Sequence, residues 1–313
     1  MVPLLVPAHP GVDVPSEPLA GWRWLTAWSF EPLPLCGLVA SVALYLYGVH
    51  RMQAAGNPWP LGRTLAYVVG GHGTLLLAVA SPLATYDVTL FSAHMAQHML
   101  LAMVGPIFLV LGAPITLALR TLPLPWRRRL LAVLHSRLVG VFTFPAVAGA
   151  IFVANPFVLY FSGLYSATLE HRWLHDLNHL HFVLVGCLWF LTLIGVDPLP
   201  RRAGYPLRVI SAFVTLPFHA WLGVAIMSAN TLIAADWYSA LDRDWGASPL
   251  SDQKTAGGIV WIGGDVVGLL VFAALFVQWV RASEREARRE DRRLDRLEAA
   301  AARRSVGSPS DKP

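Results

Sequence analysis

Charged residues are scarce in this chain. Aspartate, glutamate, lysine and arginine together make up 14% of its 313 residues, whereas 55% are hydrophobic and the mean hydropathy is +0.53. Soluble proteins average about 25% charged residues. Here the apolar residues instead come in repeated runs of about 20, the length that crosses a hydrocarbon core of about 30 Å. The composition excludes an ordinary soluble enzyme and predicts a polytopic membrane protein.

Cysteine is nearly absent as well. The chain has two, Cys36 and Cys187, and both lie in apolar runs without a CxxC pair. This excludes a disulfide-stabilised domain and a copper shuttle built on paired thiolates. The first residues, MVPLLVPAHPGVDVPSEP, also lack the basic start and the cleavage site of a secretory signal peptide. We therefore expect that this segment is not removed.

The apolar runs predict an all-α fold, a bundle of seven transmembrane helices. Their approximate ranges are 33–50, 64–82, 93–119, 138–158, 176–196, 207–230 and 256–280. We divide the chain into an outer N-terminal segment, a transmembrane domain and a charged cytoplasmic tail, at 1–32, 33–280 and 281–313. Trp22, Trp24 and Trp28 lie just before the first span, where tryptophan favours the headgroup layer. The outer segment therefore carries an interfacial anchor.

Arginine sets the expected orientation, because it is concentrated in every second loop. The arginine-rich loops are 51–63, 120–137 and 197–208, and the tail is also rich in arginine. Basic loops stay on the cytoplasmic side of a membrane. We therefore predict an N-terminus outside, a C-terminus in the cytoplasm, and a multi-pass protein of the bacterial cell membrane.

Histidines are concentrated at the predicted outer ends of spans three and five. His94 and His98 lie four residues apart in FSAHMAQHML, and His175 and His179 repeat that spacing at the start of span five. Residues four apart lie about 40° apart on one helical face. Each pair can therefore offer two imidazoles to one ion, as in HExxH zinc sites, although the glutamate of that motif is missing here. We predict one metal site formed by both pairs. We also predict that Asp176 orients an imidazole through a hydrogen bond without binding the metal itself.

Methionines accompany the first histidine pair. Met95, Met99 and Met103 form a stripe that is rotated by about 100° from the histidines. Met227 lies near the outer end of span six. Thioether and imidazole ligands together favour copper, and Cu(I) tolerates few, soft ligands. We therefore predict Cu(I), with Met95, Met99 and Met227 as auxiliary ligands.

Three polar residues lie deeper in the predicted spans: His72 on span two, His219 on span six and Asp265 on span seven. An aspartate at the centre of a membrane helix costs about 2.5–3.5 kcal/mol on insertion scales. Asp265 should therefore face the bundle and have a partner, for which His72 and His219 are the candidates. The three residues could form a second ion site, a proton path or a hydrogen-bonded structural contact.

Four stretches of the sequence resemble a known family. They are AHMAQHMLLAMVGPIFLVLGAPITLALR (93–120), LHDLNHLHFVLVGCLWF (174–190), PFHAWLGVAIM (217–227) and DQKTAGGIVWIGGD (252–265). In this order they are similar to the bacterial CtaG-type cytochrome c oxidase assembly proteins, over roughly 60–280. The resemblance implies a seven-span protein that is needed to make active cytochrome c oxidase and that handles copper for its metal centres.

By motif, the resemblance puts His94 and His98 in the family's HxxxH of span three, and His175 and His179 at the histidines that open span five. The motif of the last outer loop and final span takes in Tyr238, Gln253, Gly257, Trp261 and Asp265. The implied partners are cytochrome c oxidase subunits, other copper chaperones and membrane lipids, and we expect no nucleic acid. The implied role needs no catalysis, because ligand exchange between weak sites is enough.

Three other functions fit the same residues. Bis-histidine ligation across two helices could hold haem, although paired histidines on one helix suit a small ion better. A copper or proton transporter could use the outer histidines as a first binding site and His72, His219 and Asp265 as a path inward. A scaffold without metal could hold an oxidase subunit during insertion. We favour copper delivery over these three.

Overall fold

The computed structural model describes residues 15–199, 202–241 and 243–306, and all regular structure within them is helical. The all-α fold class is therefore confirmed. Residues 1–14, to which the expectation of an uncleaved N-terminus refers, lie outside the described residues, as do Arg201 and 307–313.

Six described helices are long and apolar enough to cross a membrane, and a bent pair would make a seventh if it forms one broken span. In chain order these elements are α1 (Pro32–Ala54), α2 (Leu61–Tyr86), α3 (Phe91–Leu111), the pair α4 (Pro145–Tyr160) and α5 (Leu164–Glu170) bent by 67°, α6 (Arg172–Ile194), α7 (Tyr205–Ser228) and α8 (Pro249–Val306). Shorter helices connect them: Arg23–Thr26, Pro114–Thr121, Leu124–Leu134, Arg137–Phe142 and Ala235–Ala240. The chain is a helical membrane protein, and a count of seven spans stays a prediction.

The prediction that span three continues as one helix to residue 119 is wrong. Helix α3 ends at Leu111, and a separate helix begins at Pro114. Between them Ala113 adopts a left-handed conformation with φ of 52°. Proline cannot continue a helix and disfavours helical geometry in the residue before it, so the chain turns here. Pro145 likewise separates α4 from the preceding short helix, so the predicted span 138–158 is not one helix either.

Two helices of the bundle contain a wider π-helical turn. It covers Ala66–His72 within α2 and Leu100–Val104 within α3. Such turns are rare and are frequent near functional sites. The second one follows His98 directly.

Contacts between chain connections define two ends of the bundle. We call the end at which α3 and α6 begin the histidine end; there Arg172 forms an ion pair with Glu31 just before α1. We call the opposite end, which holds the arginine-rich loops, the arginine end. At that end Asp197 accepts hydrogen bonds from the backbone N–H groups of Ile115 (3.2 Å) and Thr116 (2.7 Å).

Glycines let the helices that carry the predicted site residues approach closely. A Cβ atom at Gly186 of α6 would lie 2.1 Å from the carbonyl oxygen of Ala102 in the π-helical turn of α3. A Cβ atom at Gly223 of α7 would lie 2.6 Å from the carbonyl oxygen of Gly257 in α8. Small residues permit such backbone contact between membrane helices. The crossing at Gly186 brings α6 against α3 and fixes which of their faces meet.

We predict that Gly186→Ala destabilises the protein. The added methyl group meets a backbone oxygen that cannot move aside, and overpacking of this kind costs about 1–3 kcal/mol. The measurement is the thermal unfolding midpoint in detergent, which should fall. Gly258→Ala is the control on α8, since a Cβ there meets nothing within 4 Å, and alanine favours a helix over glycine. An equal midpoint for both variants would contradict the close crossing.

Candidate functional site

The two histidine pairs of the sequence meet across the interface between α3 and α6. Ring centroids lie 4.0 Å apart for His94 and His98, and 4.3 Å apart for His175 and His179. Across the helices, His94 lies 5.7 Å from His175 and His98 lies 5.6 Å from His179. We call these four side chains the histidine cluster. The neighbouring positions of spans three and five, which a shared site requires, are therefore present.

The start of α3 is fixed by a carboxylate from α8. Asp252 accepts a hydrogen bond from the backbone N–H of Ser92 (3.2 Å) and a second one from its hydroxyl. An acceptor at a helix N-terminus satisfies free N–H groups and favours the helix start. This contact orients the first turn of α3, on which His94 lies.

Several nitrogens of the histidine cluster are buried without a hydrogen-bond partner among the described residues. They are Nδ1 and Nε2 of His94, Nε2 of His98 and Nε2 of His179. His94 is fully buried and His98 is 2% exposed. Buried polar groups nearly always have a partner, and an exception needs an explanation. Lone pairs that converge in a buried cluster are suited to a metal ion.

A buried carboxylate completes the candidate site. Nε2 of His175 lies 3.0 Å from Oδ2 of Asp87 and can donate its proton to it. Ligand atoms of Asp87, His94 and His175 all lie within 4.8 Å of one another. Donors that bind one ion at about 2.0–2.1 Å lie at most about 4.2 Å apart, so a small closing movement would let the three residues share an ion.

Tyrosines surround the other side of the cluster. The Tyr160 hydroxyl forms a hydrogen bond of 2.8 Å with Nδ1 of His98. Tyr165 lies with its ring 4.8 Å from that of His94, and its hydroxyl is 2.6 Å from that of Tyr238. Tyr238 belongs to the loop helix Ala235–Ala240, and burial raises the pKa of its phenol, so that it stays protonated. These contacts hold the imidazole rings in place.

A small cavity with acidic side chains opens next to the histidine cluster. It has a volume of about 40 Å³, and we call it the acidic cavity. Its polar lining residues are Glu31, Asp87, Gln97, Arg172, His175, Asp176 and His179. Three carboxylates against one guanidinium give the cavity a net negative charge, which favours a cation.

Gln97 is an additional polar group of this cavity. Its side chain is fully buried, and its amide donates a hydrogen bond of 3.0 Å to the carbonyl oxygen of Ala78. Its Oε1 atom has no hydrogen-bond partner among the described residues. A free amide oxygen beside His175 and His179 is another available acceptor.

The methionines of α3 border a different cavity. This second cavity has a volume of about 30 Å³, and we call it the methionine cavity. The side chains with nitrogen or sulfur donors that line it are Met95, His98, Met99, Met103 and His219, beside Asn155. Met227 packs against Gly257 of α8 and lines neither cavity.

The three deeper polar residues do not form one cluster. His72 bonds through Nδ1 to the Tyr67 carbonyl (2.9 Å), and no hydrogen bond or ring contact described in the structure joins it to the other two. His219 is 3.3 Å from the Thr215 carbonyl through Nδ1 and lies near enough to Asp265 for their charges to interact. Asp265 is half-buried, and its Oδ1 has no hydrogen-bond partner among the described residues.

Three residues of the site have weak or no signals in the sequence. Asp87 is an acidic residue in the short loop just before α3, and Gln97 is a polar residue inside an apolar span, which is costly unless it is bonded or functional. Both could have been singled out on those grounds. Tyr160 ends α4 and contacts His98 only through tertiary packing, so no pattern points to it. Asp87 accepts the hydrogen bond of His175, whereas Asp176 lines the acidic cavity.

The chain matches known proteins along most of its length. The family model described as the cytochrome c oxidase caa3 assembly factor matches residues 43–282. Uncharacterized proteins of Mycobacterium bovis and Mycobacterium tuberculosis are each 38% identical over 293 residues, which is 91% of this chain and 44% of the relative. An uncharacterized protein of Mycobacterium leprae is 36% identical over the same share of both chains. The chain spans less than half the length of these curated relatives, and no solved structure matches it.

We predict that Asp87→Asn weakens binding of Cu(I), the ion predicted from the sequence, by about 10–100-fold, the usual effect of losing a carboxylate beside a metal-binding histidine. The measurement is competition with a chromogenic Cu(I) chelator. Asp176→Asn is the matched control at the same cavity and should change the affinity less, because Asp176 is only half-buried. A larger loss for Asp176→Asn would reverse the roles of the two carboxylates.

Proposed function

Because the chain belongs to the family of cytochrome c oxidase caa3 assembly factors, we propose that it binds Cu(I) in the histidine cluster and delivers it to a subunit of the oxidase. The observation that carries this proposal is the meeting of two HxxxH pairs in one buried group, in which nitrogens of His94, His98 and His179 have no hydrogen-bond partner among the described residues. Copper is the cargo of the protein rather than a resident cofactor.

The ligands of the site suit Cu(I). The Asp87 carboxylate supplies one negative charge among the neutral imidazoles of the histidine cluster, and Cu(I) would cancel it there. Imidazole also suits Cu(I), which accepts low coordination numbers.

The size of the two cavities supports an ion over haem. Volumes of about 40 and 30 Å³ are far below the roughly 300–1,000 Å³ of pockets that hold organic ligands.

Release of the ion needs a path to a partner, and the acidic cavity supplies one at the histidine end. Glu31 and Arg172 are more exposed than the histidine cluster, with side-chain exposures of 30% and 38%, and they form an ion pair beside the cavity. Exposed ion pairs are weak and can open at little cost. Ligand exchange at this mouth would transfer copper to an acceptor protein without any catalysed bond change.

The proposed partners are cytochrome c oxidase subunits, with other copper chaperones as donors and membrane lipids around the bundle. The proposed location is the bacterial cell membrane, with the histidine end outside. The exposed tryptophans Trp22, Trp24 and Trp28 at this end would lie in the headgroup layer.

We predict that His94→Ala/His175→Ala lowers the copper content by one ion per monomer. Each substitution removes an imidazole from one side of the cluster, and His98 stays in place. The measurement is metal content of detergent-purified protein that has been loaded with Cu(I) without oxygen and then desalted.

The matched control is His171→Ala/His181→Ala. Both of these histidines are exposed, and they form hydrogen bonds with the Ala167 carbonyl and with the Asn155 side chain. This variant should keep the full copper content. No copper in the wild-type protein would refute the proposal and leave a metal-free scaffold, and a Soret band after purification would favour haem.

We also predict that the histidine end faces outward, because the arginine loops lie at the other end. In a background without Cys36 and Cys187, a cysteine at Asp244→Cys should react with a membrane-impermeant maleimide on intact cells. A cysteine at Arg128→Cys should react only after permeabilisation. Both positions are exposed. The reverse pattern of labelling would place the histidine cluster on the cytoplasmic side.

A further inference from the structure

The methionine cavity is a second group of metal ligands next to the histidine cluster. It lies between α3, α4, α6, α7 and α8, and Met95, Met99 and Met103 all border it from α3. Two imidazoles, those of His98 and His219, border it as well. None of the three methionines borders the acidic cavity. The three thioethers therefore border a cavity that is separate from the acidic cavity.

Methionines in a membrane bundle usually serve as packing, and Met95 and Met103 are indeed 1% and 2% exposed. Two observations go beyond packing. The first is that His98 borders the cavity and has Nε2 buried without a hydrogen-bond partner among the described residues. The second is that the cavity is not filled, since about 30 Å³ remains open. A space of about 10–15 Å³ already holds one water-sized body.

Glycines of α8 make room for two of the lining side chains. A Cβ atom at Gly264 would lie 2.7 Å from Cδ2 of His219, and one at Gly263 would lie 3.7 Å from Cε of Met99. Larger residues at Gly264 would displace the imidazole from its present position. The glycines of α8 thus leave space for the His219 imidazole beside the methionines of α3.

The lining selects for a soft, monovalent cation. Three thioethers and two imidazoles are neutral donors, and no carboxylate of the described residues lines the cavity. Hard divalent ions prefer oxygen ligands with negative charge, whereas thioethers select Cu(I). The desolvation cost in so apolar a space is lowest for a single positive charge.

We propose that the methionine cavity is a second Cu(I) site, held by Met95, Met99, Met103 and His219, and that Nε2 of His98 can bind the ion of this site or that of the histidine cluster, one ion at a time. This inference rests on the proposed function, because it takes the histidine cluster as the first site. The ring of His98 lies 4.0 Å from that of His94 and 5.6 Å from that of His179, and the same ring lines the methionine cavity. An ion can therefore change its other ligands while it stays bound to His98, and no redox step or proton transfer is needed.

The second site ends the path inward. The next cavity has a volume of only about 10 Å³, and beside Met103 and His219 the described residues with polar side-chain groups that line it are Thr215 and Trp189. An ion has no further set of donors there. The methionine cavity thus acts as a retaining site from which copper returns through His98, and not as a station of a transmembrane path.

The test is copper stoichiometry together with X-ray absorption of the Cu(I)-loaded protein. Wild-type protein should bind two Cu(I) per monomer, with both nitrogen and sulfur neighbours. Met95→Leu/Met99→Leu/Met103→Leu should bind one, with nitrogen neighbours and no sulfur. His94→Ala/His175→Ala should also bind one, but with sulfur neighbours.

Matched controls separate the inference from a folding defect. Methionine and leucine have similar volumes, and such exchanges are usually tolerated in a packed core, so the triple variant should still fold. If it does not, the single variant Met99→Leu at a half-buried position gives the same test, with loss of one sulfur neighbour expected. Met52→Leu, in a separate apolar cluster, should behave as wild type.

The outcomes also separate this inference from the proposed function. One copper in the wild-type protein with only nitrogen neighbours, unchanged in the methionine variants, would overturn the second site and leave the histidine site standing. No copper in any variant would overturn both.

Discussion

The close crossing of α3 and α6 is the constraint on which the candidate site depends. Gly186 contacts the backbone oxygen of Ala102, so the two helices cannot rotate or slide past each other without a steric clash. His175 and His179 lie two to three helical turns before Gly186, and His94 and His98 lie one to two turns before Ala102. This one contact therefore determines how deep in the bundle the four imidazoles lie and that the two pairs face each other.

The site combines two kinds of side chain that behave differently inside a membrane. Neutral imidazoles can be buried at moderate cost, but they need partners, whereas a carboxylate is costly to bury and attracts cations. Asp87 meets both requirements. It accepts a hydrogen bond from His175, and it supplies the one negative charge of the histidine cluster. The charged pair of Glu31 and Arg172 stays near solvent, where its desolvation cost is small. Charged side chains thus lie at the histidine end, and the soft thioether ligands lie closer to the bundle centre.

How much of this could be predicted from the sequence depends on the range of the interaction. Spacing of four residues predicted the shared faces of His94 with His98 and of His175 with His179, because that geometry is local to a helix. The apolar runs predicted the helical fold for the same reason. Breaks at Pro114 and Pro145 are local too, and these prolines alone predict that spans three and four are interrupted there.

Contacts between helices were beyond such reasoning. The role of Asp87 as hydrogen-bond partner of His175 joins residues 88 positions apart, and adjacency alone had suggested Asp176. Helical spacing predicts a methionine stripe rotated from the histidines, whereas the cavity that the stripe borders is formed with residues of α7 and α8. His72, which shares only its depth with Asp265 and His219, shows that equal depth in a bundle does not imply contact.

The π-helical turn explains how one helix lines both the histidine cluster and the methionine cavity. In an α-helix a step of four residues overshoots a full turn by about 40°, so three methionines at this spacing would drift around the helix. The turn over Leu100–Val104 is wider, with hydrogen bonds from each residue to the fifth one along. A step of four residues there falls short of a full turn, and the drift between Met95 and Met99 is reversed between Met99 and Met103. All three methionines therefore border the same cavity. His94 and His98 lie before the turn and keep the α-helical spacing that places both in the histidine cluster.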